Sequence, residues 1–245
     1  NLMRVLAIIP SRYNSSRFPG KPLADIMGKS MIQRVVEQCE KCPDLHRIIV
    51  ATDDERISFH VKSFSGEVIM TSKDHKSGTE RCNEVFDNIE ERFDVVVNIQ
   101  GDEPFIDPEE ISEVISLFKD EEVQIGTLAK PITDYEIYKN PDNPKVFFNE
   151  ENIVTSFERN GKLNEEKFSE NTFFQHIGIY AFKADILSEI FELTESENEI
   201  NENLEQLRWM DNKYKIKVGI TEKESISVDR EEDIEKIKSF HLKNS

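Results

Sequence analysis

Residues 5–23 read VLAIIPSRYNSSRFPGKPL and place a short apolar run directly before a basic loop. The run VLAIIP is typical of a strand that is buried on both faces of a sheet. Similar runs follow it, and segments with helical spacing of apolar residues separate them. The runs are RIIVATD (47–53), EVIMT (67–71) and DVVVNIQ (94–100), and the helical segments span 30–42, 54–64 and 77–92. Strands that alternate with helices predict an α/β fold with a mostly parallel sheet flanked by helices.

The second half of the sequence has a different pattern. After a helix at about 108–119 and the strand VQIGTLAK comes a connection rich in Pro and Asn, PITDYEIYKNPDNPK. Strand-like pieces then predict a smaller antiparallel insertion lobe at about 131–182, with a polar tip at about 159–171. We therefore predict a single domain over residues 3–245 that carries this lobe. The remaining predicted elements are strand pieces at 145–149, 152–158 and 173–182, helices at 183–192 and 199–211, the strand YKIKVGI and a final helix at about 230–240.

The basic loop contrasts with the charge of the whole chain. The 245 residues carry a net charge of −18, whereas residues 1–34 contain six basic residues and one acid and carry +5. Such a local reversal predicts a site for a highly charged anion. The acidic excess argues against nucleic acid as a partner. No bilayer-length apolar run or signal peptide is visible, and three cysteines fit a reducing cytoplasm, so we expect a cytoplasmic protein without a membrane partner.

The basic loop has the composition of a phosphate site. Ligands of parallel sheets bind beyond the carboxyl ends of the strands, which predicts that this loop, Asp53 and QGDEP (100–104) share one rim. Gly20 permits a close backbone approach. The spacing is not that of a Walker loop, and scattered surface ion pairs are the alternative. Three basic side chains are suited to phosphate oxygens: Arg12, Arg17 and Lys21.

Asp102 follows the strand at 94–100 and therefore lies at the same predicted rim. Carboxylates are typical ligands of hard cations, and Mg²⁺ usually takes one or two of them together with phosphate oxygens. A turn-forming role before Pro104 is the alternative. The sequence thus predicts a magnesium ligand at Asp102.

Taken together, five segments resemble the 3-deoxy-D-manno-octulosonate (Kdo) cytidylyltransferases, also called CMP-Kdo synthetases. The resemblance keeps the family's order from residue 5 to about 235. It implies a Rossmann-like sheet of the nucleotidyltransferase type and transfer of CMP from CTP to the anomeric hydroxyl of Kdo or a close ulosonic acid. It also implies release of pyrophosphate, a Mg²⁺ cofactor and a homodimer. The segments are PSRYNSSRFPGKPL, VIMTSKDHKSGTERC, VNIQGDEPFI, HIGIYAF and LEQLRW.

The resemblance also implies roles for individual residues. The expected catalytic residues are Arg12, Lys21 and Asp102. CTP would bind to Arg12, Arg17, Lys21, Ser77, Gly78 and Arg81. The sugar would contact Gln100, His176, Tyr180, Glu205 and Gln206, and the metal would bind to Asp102 and Asp229. Without the resemblance, Asp229 fits a helix N-terminus, His176 a hydrogen-bonded strand residue, and Glu205 and Gln206 the polar face of a helix.

One segment departs from the family. Relatives usually carry Ser-Arg-x-x-Ile-Pro where this chain has IVTSFERNGKLNEEKFSE (153–170), without Ile-Pro. Arg159 is a candidate replacement for the family's arginine. The departure leaves open the role of Arg159 and the identity of the ulosonic acid. The sequence also does not decide between lipopolysaccharide and capsule as the product's destination.

Two other functions fit parts of the sequence. A GT-A-like glycosyltransferase also binds a nucleotide and a metal at a sheet rim, but it is expected to carry Asp-x-Asp, and Asp102-Glu103-Pro104 lacks the second Asp. A non-catalytic nucleotide sensor on the same fold is favoured only by the divergent stretch at 155–172.

Overall fold

The structure is a computed structural model that describes residues 2–245, and it is an α/β protein as predicted. Within these residues, no helix combines the length and the apolar character that crossing a membrane requires. The strands are β1 (Val5–Pro10), β2 (Asp25–Ile26), β3 (Lys29–Ser30), β4 (Arg47–Thr52), β5 (Val68–Met70), β6 (Val95–Asn98), β7 (Ile125–Ile132), β8 (Lys145–Phe148), β9 (Val154–Glu158), β10 (Phe173–Lys183) and β11 (Ile216–Ile220). The helices are α1 (Met31–Glu40), α2 (Glu55–Ser63), α3 (Gly78–Asn88), α4 (Pro108–Ser116), α5 (Tyr135–Lys139), α6 (Glu165–Ser169), α7 (Ala184–Phe191), α8 (Glu197–Glu202), α9 (Gln206–Asp211) and α10 (Asp233–Asn244).

The chain divides into two compact units. The first unit comprises the residues up to Ser112 together with Glu224–Ser245, and the second unit is Glu113–Lys223. The second unit covers more of the chain than the predicted lobe at about 131–182. That residues 3–245 form a single domain with an inserted lobe therefore stays a prediction.

The first unit contains the parallel sheet that the apolar runs predict. Its strands lie in the order β6-β1-β4-β5, and each neighbouring pair is parallel. The central strand β1 is completely buried from Leu6 to Ile9, which explains its uniformly apolar sequence. Ser30, Asp54 and Ser77 accept a backbone N–H at the starts of α1, α2 and α3, so each crossover begins at a capped helix.

The second unit contains the predicted antiparallel strands. β10 pairs antiparallel with β7 and β8, β8 pairs antiparallel with β9, and β11 is parallel to β7. A small hydrophobic cluster of Ile132, Tyr138 and Phe168 packs beside these strands. The α/β class with a mostly parallel sheet and a smaller antiparallel part is therefore confirmed.

Three local features differ from the sequence-based expectation. The helix predicted at 199–211 is two helices, α8 and α9, because Asn203 adopts the left-handed conformation with φ 53° and ends α8. The connection and polar tip contain the one-turn helices α5 and α6, capped by Asp134 and Asn164. Five-residue helices are too short to produce a hydrophobic period, so the pattern did not predict them.

The C-terminal segment returns to the first unit and packs against the region after β1. Ile26, Met31, Val228 and Ile237 form one buried cluster, and partly buried Phe18 and Phe105 lie against it. Because this cluster holds Val228, it also fixes the position of the next residue, Asp229.

We predict that Ile237→Ala lowers the free energy of unfolding by about 2–5 kcal/mol, because it leaves a cavity in this cluster. Leu242, on the same helix α10, is 71% exposed, whereas Ile237 is 0% exposed. Leu242→Ala is therefore the matched control and should change the unfolding free energy little. Urea unfolding of both variants measures the difference, and equal midpoints would contradict this packing.

Candidate active site

The basic loop after β1 closes on itself through Tyr13 and Gly20. The Gly20 N–H donates to the Tyr13 carbonyl at 2.9 Å. Gly20 has φ +70°, and a Cβ there would lie 3.1 Å from atoms of the Tyr13 ring, so both the backbone and the space require glycine. The Arg56 guanidinium lies 3.4 Å from the centre of the Tyr13 ring, and Asp54 pairs with Arg56. The loop therefore has a defined shape that ends at Lys21.

Lys21 contacts Asp102, which follows β6. The Lys21 Nζ atom lies 3.4 Å from Asp102 Oδ2. Gly101 brings this segment close to the end of β1, since a Cβ on it would lie 2.9 Å from Ser11 Oγ and 3.1 Å from the Pro10 carbonyl oxygen. The structure thus brings together the basic loop and the segment that carries Asp102, at the ends of adjacent parallel strands.

Asp229 reaches the same place from the C-terminal segment. The Val228 N–H donates to the Asp102 carbonyl at 2.8 Å, and the Asp229 carboxylate pairs with Arg17. Asp229 does not cap α10. Asp233, the first residue of α10, instead accepts the N–H groups of Asp229 and Arg230 at 3.0 and 2.9 Å. Two of the residues predicted to bind phosphate therefore form ion pairs with the two residues predicted to bind the metal.

The Asp102 carboxylate lies in an unfavourable environment for its own charge. Burial raises its pKa, Lys21 opposes this effect, and the nearby negative charge of Asp229 adds to it. Its side chain is 23% exposed, yet Oδ1 is buried and has no hydrogen-bond partner within residues 2–245. A buried carboxylate oxygen without a donor is costly, and a cation would satisfy it.

The neighbouring Glu103 is subject to the same effect. Burial, followed by the charges of Asp102 and Glu110, raises the pKa of Glu103 to about 8. Among residues 2–245 there is no group of three or more His, Cys, Asp or Glu side chains that could hold a metal ion. Two neighbouring carboxylates, those of Asp102 and Asp229, are the kind of donor set that suits a metal taking most of its ligands from phosphate and water.

Ser77, Gly78 and Arg81 lie at the start of α3. Ser77 Oγ accepts the Glu80 N–H at 3.2 Å, and a Cβ on Gly78 would lie 3.3 Å from the Pro10 side chain, so this helix start meets the end of β1. The buried Arg81 donates to Thr71 Oγ1 at 2.5 Å and to the Ser72 carbonyl at 3.0 Å, and lies 3.7 Å from Asp53. Its guanidinium thus joins three segments of the rim.

Arg12 is an exposed residue of the basic loop. Its side chain makes no hydrogen bond or ion pair within the part of the chain that the structure describes, residues 2–245. Its charge therefore remains available to an anion.

Four of the predicted sugar contacts lie in the second unit, and Gln100 lies in the first unit after β6. His176 and Tyr180 are on β10, on either side of an irregularity in its pairing with β7. The two residues pair with Ala129 and Thr127, which are only two positions apart. This bulge brings the rings of His176 and Tyr180 to 5.3 Å, far closer than the roughly 13 Å of four residues in a regular strand.

Thr127 holds this bulge together. Its hydroxyl oxygen lies 2.9 Å from His176 Nε2 and donates to the carbonyls of Ile177 or Ile179, at 3.2 and 2.7 Å. Burial lowers the pKa of His176 to about 4, so its imidazole is neutral at physiological pH. Sequence reasoning missed Thr127, and nothing in the strand VQIGTLAK singles it out.

Tyr180 lies beside the second pair of predicted sugar contacts. Burial, and then the charge of Glu205, raises the pKa of Tyr180 well above its ordinary value. Its hydroxyl is buried and has no hydrogen-bond partner within residues 2–245. Gln206 is buried at the start of α9, and Trp209 packs edge-on against Tyr180 at 5.0 Å. The second unit thus contains four of the five predicted contacts, and among them the Tyr180 hydroxyl is buried without a partner in residues 2–245.

We predict that His176 makes the protein less stable in mild acid. The unfolded chain takes up a proton near pH 6.5, while the folded chain does so only at about 4, so the free energy of unfolding falls as the pH drops through this window. His176→Gln should show a smaller fall, because glutamine does not titrate. Urea unfolding between pH 7.5 and 4.5 compares the two proteins, and curves of equal slope would contradict the neutral imidazole.

Comparison with known proteins identifies the family. The cytidylyltransferase family model matches residues 6–220. The chain is 50% identical to 3-deoxy-manno-octulosonate cytidylyltransferase of Parabacteroides distasonis, over 98% of each chain. It is 47% identical to the enzyme of the same name from Bacteroides thetaiotaomicron, over 99% of each chain. The solved structure of CMP:2-keto-3-deoxy-manno-octonic acid synthetase complexed with CTP matches with a TM-score of 0.92 at 35% identity, covering 99% of this chain and 100% of that one. The chain therefore belongs to the cytidylyltransferases, and among them to the 3-deoxy-manno-octulosonate cytidylyltransferase family.

Proposed function

We propose that this chain transfers CMP from CTP to the anomeric hydroxyl of Kdo and releases pyrophosphate. The observation that carries the proposal is the 50% identity, over 98% of both chains, to a relative named for this activity. The relative of known structure was solved with CTP. Because the chain belongs to an enzyme family named for cytidylyl transfer, a glycosyltransferase or a non-catalytic sensor is no longer a well-supported alternative function. The product is an activated sugar of the kind used to build lipopolysaccharide or capsule.

The basic loop supports a role in binding the triphosphate. Arg12 has a free charge, and Arg17 and Lys21 pair with carboxylates at the rim. In the reaction, the sugar oxygen forms a bond to the α-phosphorus, and the bond from that phosphorus to the pyrophosphate oxygen breaks. Three cations at the phosphates would offset the charge that develops on the leaving pyrophosphate. No covalent nucleophile on the protein is required, because positioning and electrostatics supply most of the acceleration.

Ser77, Gly78 and Arg81 are assigned to the nucleoside end of CTP. The start of α3 lies against the end of β1, which supports this assignment. The first helical N–H groups of α3 are donors without partners inside the helix and are suited to ribose or cytosine oxygens. Arg81 is buried and already bonded to Thr71 and Ser72, so its contribution is to hold this helix start in place.

The residues present fit a bound Mg²⁺. The buried Asp102 Oδ1 has no partner in residues 2–245, and Asp229 adds a second carboxylate close to it. When bound, Mg²⁺ would offset the charge of the triphosphate and of the leaving group. Asp102 and Asp229 would hold it, while Arg17 and Lys21 exchange their carboxylate partners for phosphate oxygens.

We expect Asp102→Asn to lower kcat at least about a hundredfold, because it removes a charged ligand at the reacting phosphates. The free energy of unfolding should stay equal or rise, since burial opposes the charge of this carboxylate. Asp44, an exposed aspartate of the first unit, gives the matched control Asp44→Asn. Pyrophosphate release at saturating CTP and Kdo measures the effect, and near wild-type turnover would remove Asp102 from the site.

The sugar substrate is tested with a panel of acceptors. The protein is incubated with CTP, Mg²⁺ and, in separate reactions, Kdo, its 8-amino analogue and other ulosonic acids. We expect the highest kcat/KM for Kdo. Pyrophosphate release without any acceptor dependence, or none with any acceptor, would overturn the proposed function.

We also propose that the protein is a cytoplasmic homodimer. The dimer rests on the resemblance to the family. The compartment rests on three buried cysteines that form no disulfide within residues 2–245, which suits a reducing environment. Sedimentation velocity should give twice the mass of the chain, and a single species of monomer mass across the micromolar range would contradict the dimer.

A further inference from the structure

Arg159 contacts the turn between α8 and α9 in the second unit. Its Nε donates to the Glu202 carbonyl at 2.9 Å, and its Nη2 donates to the Asn203 carbonyl at 2.8 Å. Its Nη1 lies 3.5 Å from the Pro141 carbonyl oxygen. The last carbonyls of a helix lack partners within the helix and favour a cation. The guanidinium of Arg159 therefore closes the C-terminus of α8.

Lys145 fixes Arg159 from its other side. The Lys145 Nζ donates to the Arg159 carbonyl at 2.6 Å and to the Asn140 carbonyl at 2.8 Å. Lys145 is only 1% exposed, and its burial lowers its pKa. Because the backbone of Arg159 is anchored in this way, its side chain starts from a defined position.

The turn that Arg159 holds leads directly into two predicted sugar contacts. Asn203 is left-handed, with φ 53° and ψ 49°, and Glu205 and Gln206 begin α9 immediately after it. Arg208 of α9 forms two hydrogen bonds to Glu199 of α8, at 2.8 and 2.6 Å, with both side chains 11% exposed. That ion pair links the bodies of the two helices, and the turn at 202–204 joins them directly before Glu205 and Gln206.

We propose that Arg159 is a positioning residue for sugar binding, which fixes this turn and thereby directs Glu205 and Gln206. The inference rests on the proposed function for the role of those two side chains. It assigns Arg159 to backbone carbonyls and not to the sugar itself. Arg159 lies in the segment that lacks the family's Ile-Pro, and its contacts with Glu202 and Asn203 are the observation that assigns it a role.

Kinetics of Arg159→Ala and Arg159→Lys test the positioning role. We expect Arg159→Ala to raise KM for Kdo at least about tenfold, equivalent to about 1.4 kcal/mol, because the turn before Glu205 loses its anchor, while KM for CTP stays within about twofold. Arg159→Lys should be intermediate, because an ammonium can reach one carbonyl but lacks the planar fork. The control is Lys162→Ala, which removes an exposed cation three positions along the same segment and should change neither constant.

Two further variants separate positioning from direct contact with the sugar. Asn203→Ala keeps the Arg159 side chain but disfavours the left-handed turn, so we expect it to raise KM for Kdo as well. In a Glu205→Gln background, Arg159→Ala should raise KM for Kdo by a smaller factor than in the wild type, since part of its effect acts through the Glu205 side chain. An Asn203→Ala protein with wild-type KM, together with multiplying effects of Arg159→Ala and Glu205→Gln, would overturn the proposal.

Hydrogen exchange provides a readout that does not depend on activity. Arg159→Ala should raise the exchange rates of the amides from Leu204 to Arg208, and Lys162→Ala should not. Unchanged exchange in Arg159→Ala would overturn the positioning role even in an active enzyme. Failure of the wild type to release pyrophosphate with Kdo would instead overturn the proposed function, and the exchange result would still decide whether Arg159 holds the turn.

Discussion

A buried carboxylate needs a counter-charge, and the rim of the first unit is arranged around that need at Asp102. Burial raises its pKa, Lys21 lies 3.4 Å away, and one of its oxygens has no protein partner in residues 2–245. A chain with net charge −18 nevertheless places a basic segment here. The carboxylate of Asp102 therefore pairs with Lys21 and keeps one oxygen that the proposed metal would satisfy. The proposed phosphate and metal sites can share this small space only because the charges around them alternate.

This arrangement depends on a hydrophobic contact that itself carries no charge. Asp229 is more than a hundred residues from Asp102, and it reaches the rim because Val228 is buried with Ile26, Met31 and Ile237. The Val228 N–H then donates to the Asp102 carbonyl. Burial of apolar surface supplies the free energy, and the backbone hydrogen bond fixes the register of the aspartate. The order of the proposed metal site therefore depends on how well α10 packs in this cluster.

The sequence predicted those parts of the molecule that depend on residues close together in the chain. Apolar runs such as VLAIIP fix buried parallel strands, and the order of five motifs identified the family. The break at Asn203 was not predicted, because the apolar spacing continues through it and the left-handed turn is stabilised by Arg159, over forty residues away. The contacts of Arg56 with Tyr13 and of Thr127 with the β10 bulge were not predicted, for the same reason. Contacts between residues distant in sequence leave no period or motif to detect.

The two units offer different chemistry to the two proposed substrates. The first unit presents full charges, which suit the phosphates of CTP. The second unit presents neutral polar groups, since burial keeps His176 uncharged at physiological pH and Tyr180 protonated. Glu205 adds a negative charge near Tyr180, and this charge would repel the carboxylate of an acidic sugar. The sugar's hydroxyl groups are therefore the better partners for Glu205, whereas its carboxylate requires a donor or a cation elsewhere. Selectivity among ulosonic acids should accordingly depend on where their hydroxyl groups lie relative to Glu205. In the proposed arrangement, the turn before Glu205 sets the position of that side chain.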